Sequence, residues 1–281
     1  MEEQLRRRSV GAPAARSALL TILGEYVAPG HRTVYRETLV RALETLGYKR
    51  DAARQAVARS VAAAWLTSSR DGRRSRMALT PATHDMLSAG YRRIYRFGEP
   101  WTWNGRWLLV IVRVREDRRQ IRDRLRTKLA WAGFGSLGGG LWLSPHANRE
   151  SEVRAAVDGH RGAGVMAFSA QQLDGIGDSA RVVDEAWHLE AVADQYVAFI
   201  RDFERVAPES AEQMFAAQTA MVHAWRKFPF LDPDLPDPLL PPRWPREEAL
   251  ALFRDRHERW HEAAETYFRS LTGGADSDDR R

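Results

Sequence analysis

The chain has 281 residues, of which 44% are hydrophobic and 28% are charged. This composition is ordinary for a globular protein and excludes wholesale disorder, a collagen-like repeat and a bare coiled coil. The longest apolar run, Trp107–Val112, is far too short to cross a bilayer, so we expect no membrane partner. Cysteine is absent, which excludes disulfides and thiol chemistry and fits a cytoplasmic protein. The charged N-terminus lacks the apolar segment of a secretory signal.

Positive charge is concentrated in the first third of the chain. Residues 1–100 hold 18 basic and 9 acidic residues, whereas residues 101–281 hold 25 basic and 28 acidic residues. A basic segment beside a nearly neutral remainder indicates that the first part of the chain faces a polyanion. Of the basic residues, 40 are arginine. Arginine suits phosphates and guanine edges, although a GC-rich genome would produce the same bias.

Residues 15–96 carry three helical patterns followed by a hairpin pattern. Apolar residues recur at helical spacing in the segments AARSALLTILGEYV and VYRETLVRALETLGY. A third helix is predicted over Asp51–Ala63, with Asp51 as its N-cap. Two strand-like segments then flank the pair Asp71-Gly72, which is a strong hairpin signal. Three helices followed by a hairpin are typical of a winged helix-turn-helix domain.

The third predicted helix and the hairpin after it both carry basic side chains. An exposed charged helix face is often only solvated, but an arginine-rich hairpin directly after it favours nucleic acid. We therefore predict that double-stranded DNA is a partner. The helix would read base edges, while the start of the helix and the hairpin would contact phosphates or the minor groove. The predicted DNA-binding residues are Arg50, Arg54, Gln55, Arg59, Arg70, Arg73, Arg74 and Arg76.

A second domain is predicted over residues 100–175. A buried strand at Trp107–Val114 precedes an amphipathic helix, two short strands around a glycine turn, another helix and a last strand. This βαββαβ order predicts a ferredoxin-like sandwich, so the fold class is α+β. The sequence GFGSLG at Gly133–Gly138 matches a dinucleotide-binding pattern, but a helix precedes it and a strand follows it, which inverts the required context. We interpret the glycines as a turn and expect no cofactor.

Residues 180–271 are predicted to form a helical C-terminal domain. Amphipathic helices precede the stretch FPFLDPDLPDPLLPPRWP, which holds seven of the thirteen prolines. We predict that this stretch is extended and packs four apolar residues onto the helices, namely Leu231, Leu235, Leu239 and Trp244. The chain ends, residues 1–14 and 272–281, are predicted to be a flexible arm and a disordered tail.

The sequence HERWH at His257–His261 matches the H-E-x-x-H signature of zinc peptidases. That chemistry needs two imidazoles one helical turn apart, a glutamate base and a third metal ligand. Ala264 and Tyr267 stand where an extended form of the motif has glycine and a third histidine. We therefore expect an amphipathic helix in which Trp260 packs inward, and no metal site.

A ferredoxin-like domain can also be a metal-dependent nuclease. Such an enzyme needs carboxylates at the end of the first strand, but this strand ends in Arg113-Val114-Arg115, and Glu116 and Asp117 come only in the following turn.

The G-x-S-x-G nucleophile elbow of serine hydrolases is also absent from the sequence. A metal-dependent hydrolase, either peptidase or nuclease, remains the alternative function, but we expect no catalytic residues.

Three long segments together resemble the PaaX family of bacterial transcriptional repressors. The first contains RSALLTILGEYV, ARQAVARSVAAAWL and RDGRRSRMALT, and the second contains WNGRWLLVIV and LRTKLAWAGFGSLGGGLWLSP. The third contains AWHLEAVADQYVAFIRDF, HAWRKFPFLDPDLPDPLLPPRWP and ALALFRDRHERW. The patterns GFG-x-L-x-x-G-x-W and DPDLP-x-x-LLP-x-x-W are far more specific than any short motif.

The resemblance implies a winged helix over residues 15–96, with a DNA-reading helix at Asp51–Ala63 and a wing at Arg70–Arg76. It also implies a central domain over residues 100–175 similar to the CRISPR-associated small nucleases, and a helical effector and dimerisation domain over residues 180–271. Members of the family are expected to be homodimers that bind a palindromic operator. A coenzyme A thioester releases them, phenylacetyl-CoA in the founding members, which connects the family to aromatic-acid catabolism.

Such an effector requires arginine beside an aromatic-lined cavity, because a thioester of this kind has an anionic pyrophosphate and an apolar acyl group. We predict this cavity where the second and third predicted domains meet, although tryptophan at helical spacing is more often part of a core. The predicted effector-binding residues are Trp131, Trp142, His223, Trp225, Arg226 and Trp244.

Overall fold

The computed structural model describes residues 14–146, 149–158, 164–173 and 176–273. It has a mixed α+β architecture that divides into two compact units. Unit 1 draws on Met1–Tyr95, Asp202–Arg226 and Ala251–Arg281, and unit 2 draws on Arg96–Arg201 and Lys227–Leu250. Most of the predicted arm and tail lies outside the described residues. Within the described ranges, no helix is both long and apolar enough to cross a membrane.

Unit 1 begins with a helix whose apolar side is fully buried. Helix α1 spans Ala15–Ile22 and continues as a π-helical turn over Leu23–Val27. Three aliphatic residues at helical spacing have no exposed surface, and burying each contributes about 1.5–3 kcal/mol before the entropy cost is counted. They are Leu19, Ile22 and Leu23. The wider π-helical turn also buries Glu25.

The other N-terminal elements of unit 1 surround a small sheet. They are β1 (Val34–Tyr35), α2 (Arg36–Thr45), α3 (Arg50–Ala62), β2 (Leu66–Asp71), β3 (Arg74–Leu79) and α4 (Pro81–Arg96). The hairpin predicted at Asp71-Gly72 is present as β2 and β3. Strand β1 was not predicted; it pairs with β3 and gives the strand order β1-β3-β2. The paired residues Val34 and Met77 are both buried, which anchors the hairpin in the core.

Helix α3 starts one residue earlier than predicted. Lys49 occupies the N-cap position and no side chain caps the helix, so the prediction of Asp51 as N-cap was wrong. Asp51 lies in the first turn instead, where a carboxylate still interacts favourably with the helix dipole. The helix ends at Ala62, and Ala64 then adopts a positive φ of 55°, which turns the chain towards β2.

Unit 2 is built on a four-stranded antiparallel sheet. Its elements follow in the order β4 (Arg106–Arg113), α5 (Arg119–Trp131), β5 (Gly135–Ser136), β6 (Leu141–Ser144), α6 (Glu150–Val157) and β7 (Gly164–Gln171). The strand order is β5-β6-β4-β7, so the first strand in sequence is central and the last lies at an edge. Strand β4 pairs with β6 on one side and with β7 on the other.

Both faces of β4 are covered by apolar side chains. On one face, Leu108 and Val110 pack with Leu129 of α5 and Val153 of α6. On the opposite face, Trp107 packs with residues from the later part of unit 2. Because successive residues of a strand point to opposite faces, burial on both sides explains the nearly continuous apolar run in the sequence.

The glycine-rich segment is a close-packed connection between β5 and β6. Gly140 has a φ of 83°, and a Cβ atom there would collide with the carbonyl oxygen of Val112. A Cβ atom on Gly135 would run into the Trp187 ring. At Gly140, only glycine tolerates both the positive φ and this approach to the backbone of Val112. The close approach at Gly135 agrees with the interpretation of GFGSLG as a packing site, but Gly135 and Ser136 form strand β5, so only Gly133 and Gly138 on either side have the positive φ of a turn.

The last third of the chain is helical. It forms α7 (Ser179–Ala186), α8 (Leu189–Phe203), α9 (Ala211–Trp225), α10 (Phe228–Leu231) and α11 (Arg246–Gly273). Residues of the predicted C-terminal domain are found in both units. In unit 1, the Tyr26 ring lies 5.1 Å from Phe215 of α9 and 5.2 Å from Phe268 of α11. Among the described residues, these contacts join the π-helical turn after α1 to α9 and α11.

The proline-rich segment is less extended than predicted. It contains the short helix α10 and a 3₁₀ turn at Asp237–Leu239. Leu235 and Leu239 are buried beside Trp107, as expected. Leu231 lies at the end of α10 and is 41% exposed, so the prediction that it packs inward was wrong.

Candidate DNA-binding surface and ligand groove

Helix α3 separates its small residues from its long polar residues. Ala53, Ala56, Val57 and Ser60 are buried and let the helix pack closely against the core of unit 1. The structure places the three predicted base-reading residues together on the exposed side. They are Arg54, Gln55 and Arg59. Two guanidinium groups and one amide can make bidentate contacts with guanine and adenine, respectively, in the major groove.

Arg50 lies in the first turn of α3 and is held by carboxylates of α2. Its guanidinium contacts Glu37 and donates to Glu44 Oε2 at 2.8 Å. Ion pairs at a solvent-exposed site contribute only about 0–1 kcal/mol each, so a DNA phosphate can replace them. A phosphate contact by Arg50 stays a prediction.

The arginines of the β2–β3 hairpin form two groups. Two of them have partners within unit 1: Arg76 pairs with Asp71 at 2.7 Å, and the guanidinium of Arg74, beside the turn, lies 5.3 Å from the ring centre of Tyr35. The Tyr35 hydroxyl donates to Asp71 at 3.1 Å, so β1 braces the hairpin. The two exposed arginines nearest the turn are Arg70 and Arg73.

Three of the predicted effector residues lie in unit 1, and each has a partner there. Trp225 is fully buried and stacks on an aromatic ring of α11. His223 Nδ1 lies 2.8 Å from Thr21 Oγ1, and Arg226 donates to Ser17 Oγ at 2.7 Å. These contacts attach the end of α9 to α1.

The other three predicted effector residues lie in unit 2. Trp131 is 62% exposed, with the Phe230 ring edge-on at 5.8 Å. Trp142 is buried among the residues between the sheet and the helices α5 and α6. Trp244 packs against the core cluster around Trp107 and meets the Tyr196 ring edge-on at 6.0 Å. The six predicted residues are thus divided equally between the two units.

Unit 2 contains an arginine-lined groove that the sequence analysis did not predict. It has a volume of about 770 Å³ and lies at the end of β4, beside α5 and the glycine turn. Trp142 is part of its wall. The four arginines that line it are Arg113, Arg115, Arg122 and Arg126. The signal in the sequence was the i, i+4 spacing of Arg122 and Arg126, which places both on one side of a helix.

A second cavity of about 350 Å³ shares part of this wall. Arg126, Ser136 and Trp142 line both cavities. The rest of the second cavity is largely aromatic and aliphatic, and it includes Phe134, Trp187, Phe230 and Leu231. A basic groove beside an aromatic cavity suits a ligand with an anionic part and an apolar part.

The DPDLP motif forms a buried polar network in unit 2. Asp232 accepts a hydrogen bond from the Tyr196 hydroxyl at 2.7 Å and another from the backbone N–H of Asp234 at 2.7 Å. Arg246 donates to Asp234 Oδ1 at 3.0 Å and to the Leu235 carbonyl at 3.3 Å. Burial raises the pKa of Asp234, and the Arg246 charge opposes that shift. These contacts give the motif a structural role in unit 2.

His146 is buried next to the same segment. Its Nε2 donates to the Asp234 carbonyl at 3.0 Å, and its ring stacks on Trp101 at 4.3 Å. Burial, followed by the nearby charge of Arg149, lowers the pKa of His146 to about 4. The folded protein therefore holds this imidazole neutral.

Acidification from about pH 6.5 to pH 4 is expected to destabilise unit 2 through His146. The unfolded chain binds the proton near pH 6.5, whereas the folded chain resists it until about pH 4. The contribution of His146 to the free energy of unfolding is fully present above pH 6.5. It decreases by up to about 3 kcal/mol as the pH falls to about 4. Urea unfolding at several pH values should show a weaker acid dependence in His146→Gln. The exposed His188→Gln is the control, and equal slopes in all three proteins would contradict the assignment.

Comparisons with known proteins give a consistent result. Family models match as follows: PaaX-like protein over residues 14–83, PaaX protein central Cas2-like domain over residues 100–183, and PaaX-like protein C-terminal domain over residues 187–270. The chain is 29% identical over 259 residues to the transcriptional repressor PaaX of Escherichia coli (strain K12), covering 88% of this chain and 81% of the relative. The uncharacterized protein Rv0674 from Mycobacterium tuberculosis has a similar fold, with a TM-score of 0.62 at 22% identity. That match covers 88% of this chain and 97% of the solved chain.

The three family matches follow one another along the chain and leave few residues outside them. They coincide with the three segments on which the sequence resemblance rests. They identify a transcription regulator and not the metal-dependent hydrolase that was the alternative. The chain belongs to the PaaX family of transcriptional regulators.

Proposed function

We propose that this chain is a transcriptional repressor that binds a palindromic operator in double-stranded DNA as a homodimer. One observation carries the proposal: Arg54, Gln55 and Arg59 share the exposed side of α3, and the arginine-rich hairpin follows α3 directly. The printed function of the Escherichia coli relative, a transcriptional repressor, supports the same output.

In this proposal, the N-terminal part of unit 1 is a winged helix. Helix α3 is the recognition helix, and the β2–β3 hairpin is the wing. The major groove is about 12 Å wide and admits one α-helix, whose exposed side chains then reach the base edges. Arg70 and Arg73 would contact phosphates or the minor groove beside it, which positions α3 without reading sequence.

A palindromic operator requires two copies of α3 related by a two-fold axis. The family resemblance implied dimerisation through residues 180–271. We propose instead that the sheet of unit 2 and its two helices form a ferredoxin-like sandwich that supplies the contact between copies. Support comes from the edge strand β7, on which Met166 is 40% and Phe168 is 50% exposed. Large apolar side chains on an edge strand favour pairing with another chain.

We infer that an acyl-coenzyme A thioester releases the repressor and that it binds in unit 2. The arginine-lined groove suits the pyrophosphate, and the adjoining aromatic cavity suits an acyl group such as phenylacetyl. Trp142 lines both and was among the predicted effector residues. Release follows if the ligand prefers a dimer whose two recognition helices no longer match one turn of DNA.

The double variant Arg122→Ala/Arg126→Ala is expected to weaken phenylacetyl-CoA binding at least about 10-fold. Each hydrogen bond to a charged group contributes about 1.5–3 kcal/mol, and the variant removes two such donors. Titration followed by tryptophan fluorescence measures the affinity, because Trp142 lines the groove.

Arg124→Ala/Arg154→Ala is the matched control for this titration. It removes the same charge from the helices α5 and α6, outside the residues that line the groove. Fluorescence that stays flat at saturating thioester, or an equal loss of affinity in both double variants, would contradict the assignment of the effector site.

Fluorescence anisotropy with DNA from upstream of the chain's own gene tests the proposed function. The titration is run against random DNA, in a salt series, with and without phenylacetyl-CoA, and sedimentation gives the number of chains per DNA. We expect specific binding of two chains that the thioester abolishes. Specific DNA binding that the thioester does not change would support the assignment as a repressor and contradict phenylacetyl-CoA as its effector. Binding without sequence preference would contradict the role of α3 on that DNA.

A further inference from the structure

The HERWH motif, which DNA binding does not use, lies beside a buried carboxylate in unit 1. Helix α11 places His257 and His261 one turn apart. Glu25, in the π-helical turn after α1, lies next to them although it is 232 residues before His257 in the sequence. One nitrogen of each imidazole and one oxygen of Glu25 all lie within 4.8 Å of one another.

The Glu25 carboxylate is 2% exposed and has four polar neighbours. Tyr95 donates to Oε2 at 2.8 Å, and Gln218 donates to Oε1 at 3.1 Å. His257 Nε2 lies 2.7 Å from Oε1, and His261 Nδ1 lies 3.8 Å from it. A carboxylate removed from water needs a positive partner, and among these four neighbours only the imidazole positions can supply one, by protonation or by binding a cation.

We propose that Glu25, His257 and His261 form a binding site for a divalent transition-metal ion of the zinc class. Two imidazole nitrogens and one carboxylate oxygen are a ligand set that zinc takes, with a fourth position for water. Ligand atoms about 2.0–2.1 Å from one tetrahedral ion lie about 3.3 Å apart. The separations of 2.7 Å and 3.8 Å from Glu25 Oε1 bracket this value.

The neighbouring polar groups are arranged to hold these ligands. Tyr95 and Gln218 both donate to the Glu25 carboxylate, and hydrogen bonds of this outer kind orient metal ligands and tune their affinity. The Gln218 amide also lies 3.2 Å from His261 Nδ1, and the Tyr95 hydroxyl lies 2.9 Å from His257 Nε2. Because a nitrogen lone pair cannot accept a hydrogen bond and bind an ion at once, these two contacts are replaced when the ion binds. On binding, the ion takes the place of the hydrogen bond between His257 Nε2 and Glu25 Oε1.

The site acts in structure and not in peptide hydrolysis. Glu258, which would be the base in a peptidase, is exposed to solvent, whereas Glu25 beside the two imidazoles is buried. The ion instead ties the end of α1 to α11, which adds a cross-link between the first and last helices of unit 1. Because the ion binds the folded chain, it should raise the melting temperature.

Calorimetric titration of zinc into the untagged full-length protein, after dialysis against a chelator, tests the proposal. We expect one ion per chain and a higher melting temperature. Cobalt(II) in place of zinc should give the visible absorption of a tetrahedral site with nitrogen and oxygen ligands. Binding that does not reach one equivalent, or that leaves the melting temperature unchanged, would overturn the proposal.

Variants then locate the ion. His261→Gln changes a partly exposed residue, and Glu25→Gln keeps the shape of the buried side chain. Both are expected to weaken binding at least about 100-fold, since losing a ligand costs more than the 10- to 100-fold loss for an outer partner. His188→Gln, an exposed histidine of unit 2, should bind as the wild type does. Circular dichroism checks that each variant is folded, and an equal loss in the His188 variant would reject the site.

Discussion

Arg54→Ala is expected to weaken binding to the operator by about 1–3 kcal/mol, which is roughly 5- to 150-fold. Arg54 lies on the exposed side of α3, where its guanidinium can make a bidentate contact with a guanine edge. The variant should lose affinity only for operators that carry the guanine contacted by Arg54. The preference for one base at that operator position should therefore weaken. Competition anisotropy with single-base operator variants measures it.

Arg73→Ala is the matched comparison, because it removes the same side chain from the hairpin tip. Loss of a phosphate contact should weaken operator and random DNA alike and reduce the slope of log K against log salt by about one. If Arg54→Ala and Arg73→Ala lowered affinity equally on operator and random DNA, the division into base reading and phosphate contact would be wrong.

Arg246→Met is expected to destabilise unit 2 by about 3–5 kcal/mol, because it leaves buried carboxylates without their cation. The Arg246 side chain is 9% exposed, and that of Asp232 is fully buried. Asp234 would lose its hydrogen bond as well. Urea unfolding followed by circular dichroism measures the loss.

Arg254→Ala, an exposed position on the same helix, is the control and should change the stability by no more than about 0.5 kcal/mol. The triple variant Arg246→Met/Asp232→Asn/Asp234→Asn should recover part of the loss, because no charge then remains buried. A triple variant less stable than Arg246→Met alone would contradict this account of the DPDLP motif.

Local sequence patterns were sufficient for the DNA-binding surface. The alternation of small and long residues in α3 has the helical period, so Arg54, Gln55 and Arg59 could be placed on one side without knowing what covers the other. The Asp71-Gly72 pair indicated the hairpin for the same reason, since a turn depends on adjacent residues. The N-cap at Lys49 was missed because it has no side-chain cap that a sequence could display.

The ligand groove and the effector residues depended on packing instead. Tryptophan identity suggested Trp225 as an effector residue, but tertiary contacts bury it completely in the core of unit 1. Arg113 and Arg115 at the end of β4 meet Arg122 and Arg126 only because α5 folds back beside that strand. Composition cannot distinguish a solvated arginine from one that lines a cavity.

By itself, the sequence determined most of the longer helices and strands, the basic surface of unit 1 and membership of the family, because helical period, turn residues and long motifs are local properties of the chain. It missed the short strand β1 and the helices α4 and α10. Only the tertiary structure decided which distant residues meet. Glu25 is far from the HERWH motif in sequence, and a search downstream of His261 for a third ligand could not find it. It reaches the two imidazoles because the aromatic contacts of Tyr26 with Phe215 and Phe268 hold the end of α1 against α9 and α11. Contacts of that kind follow from the packing of a whole core, which no short segment encodes.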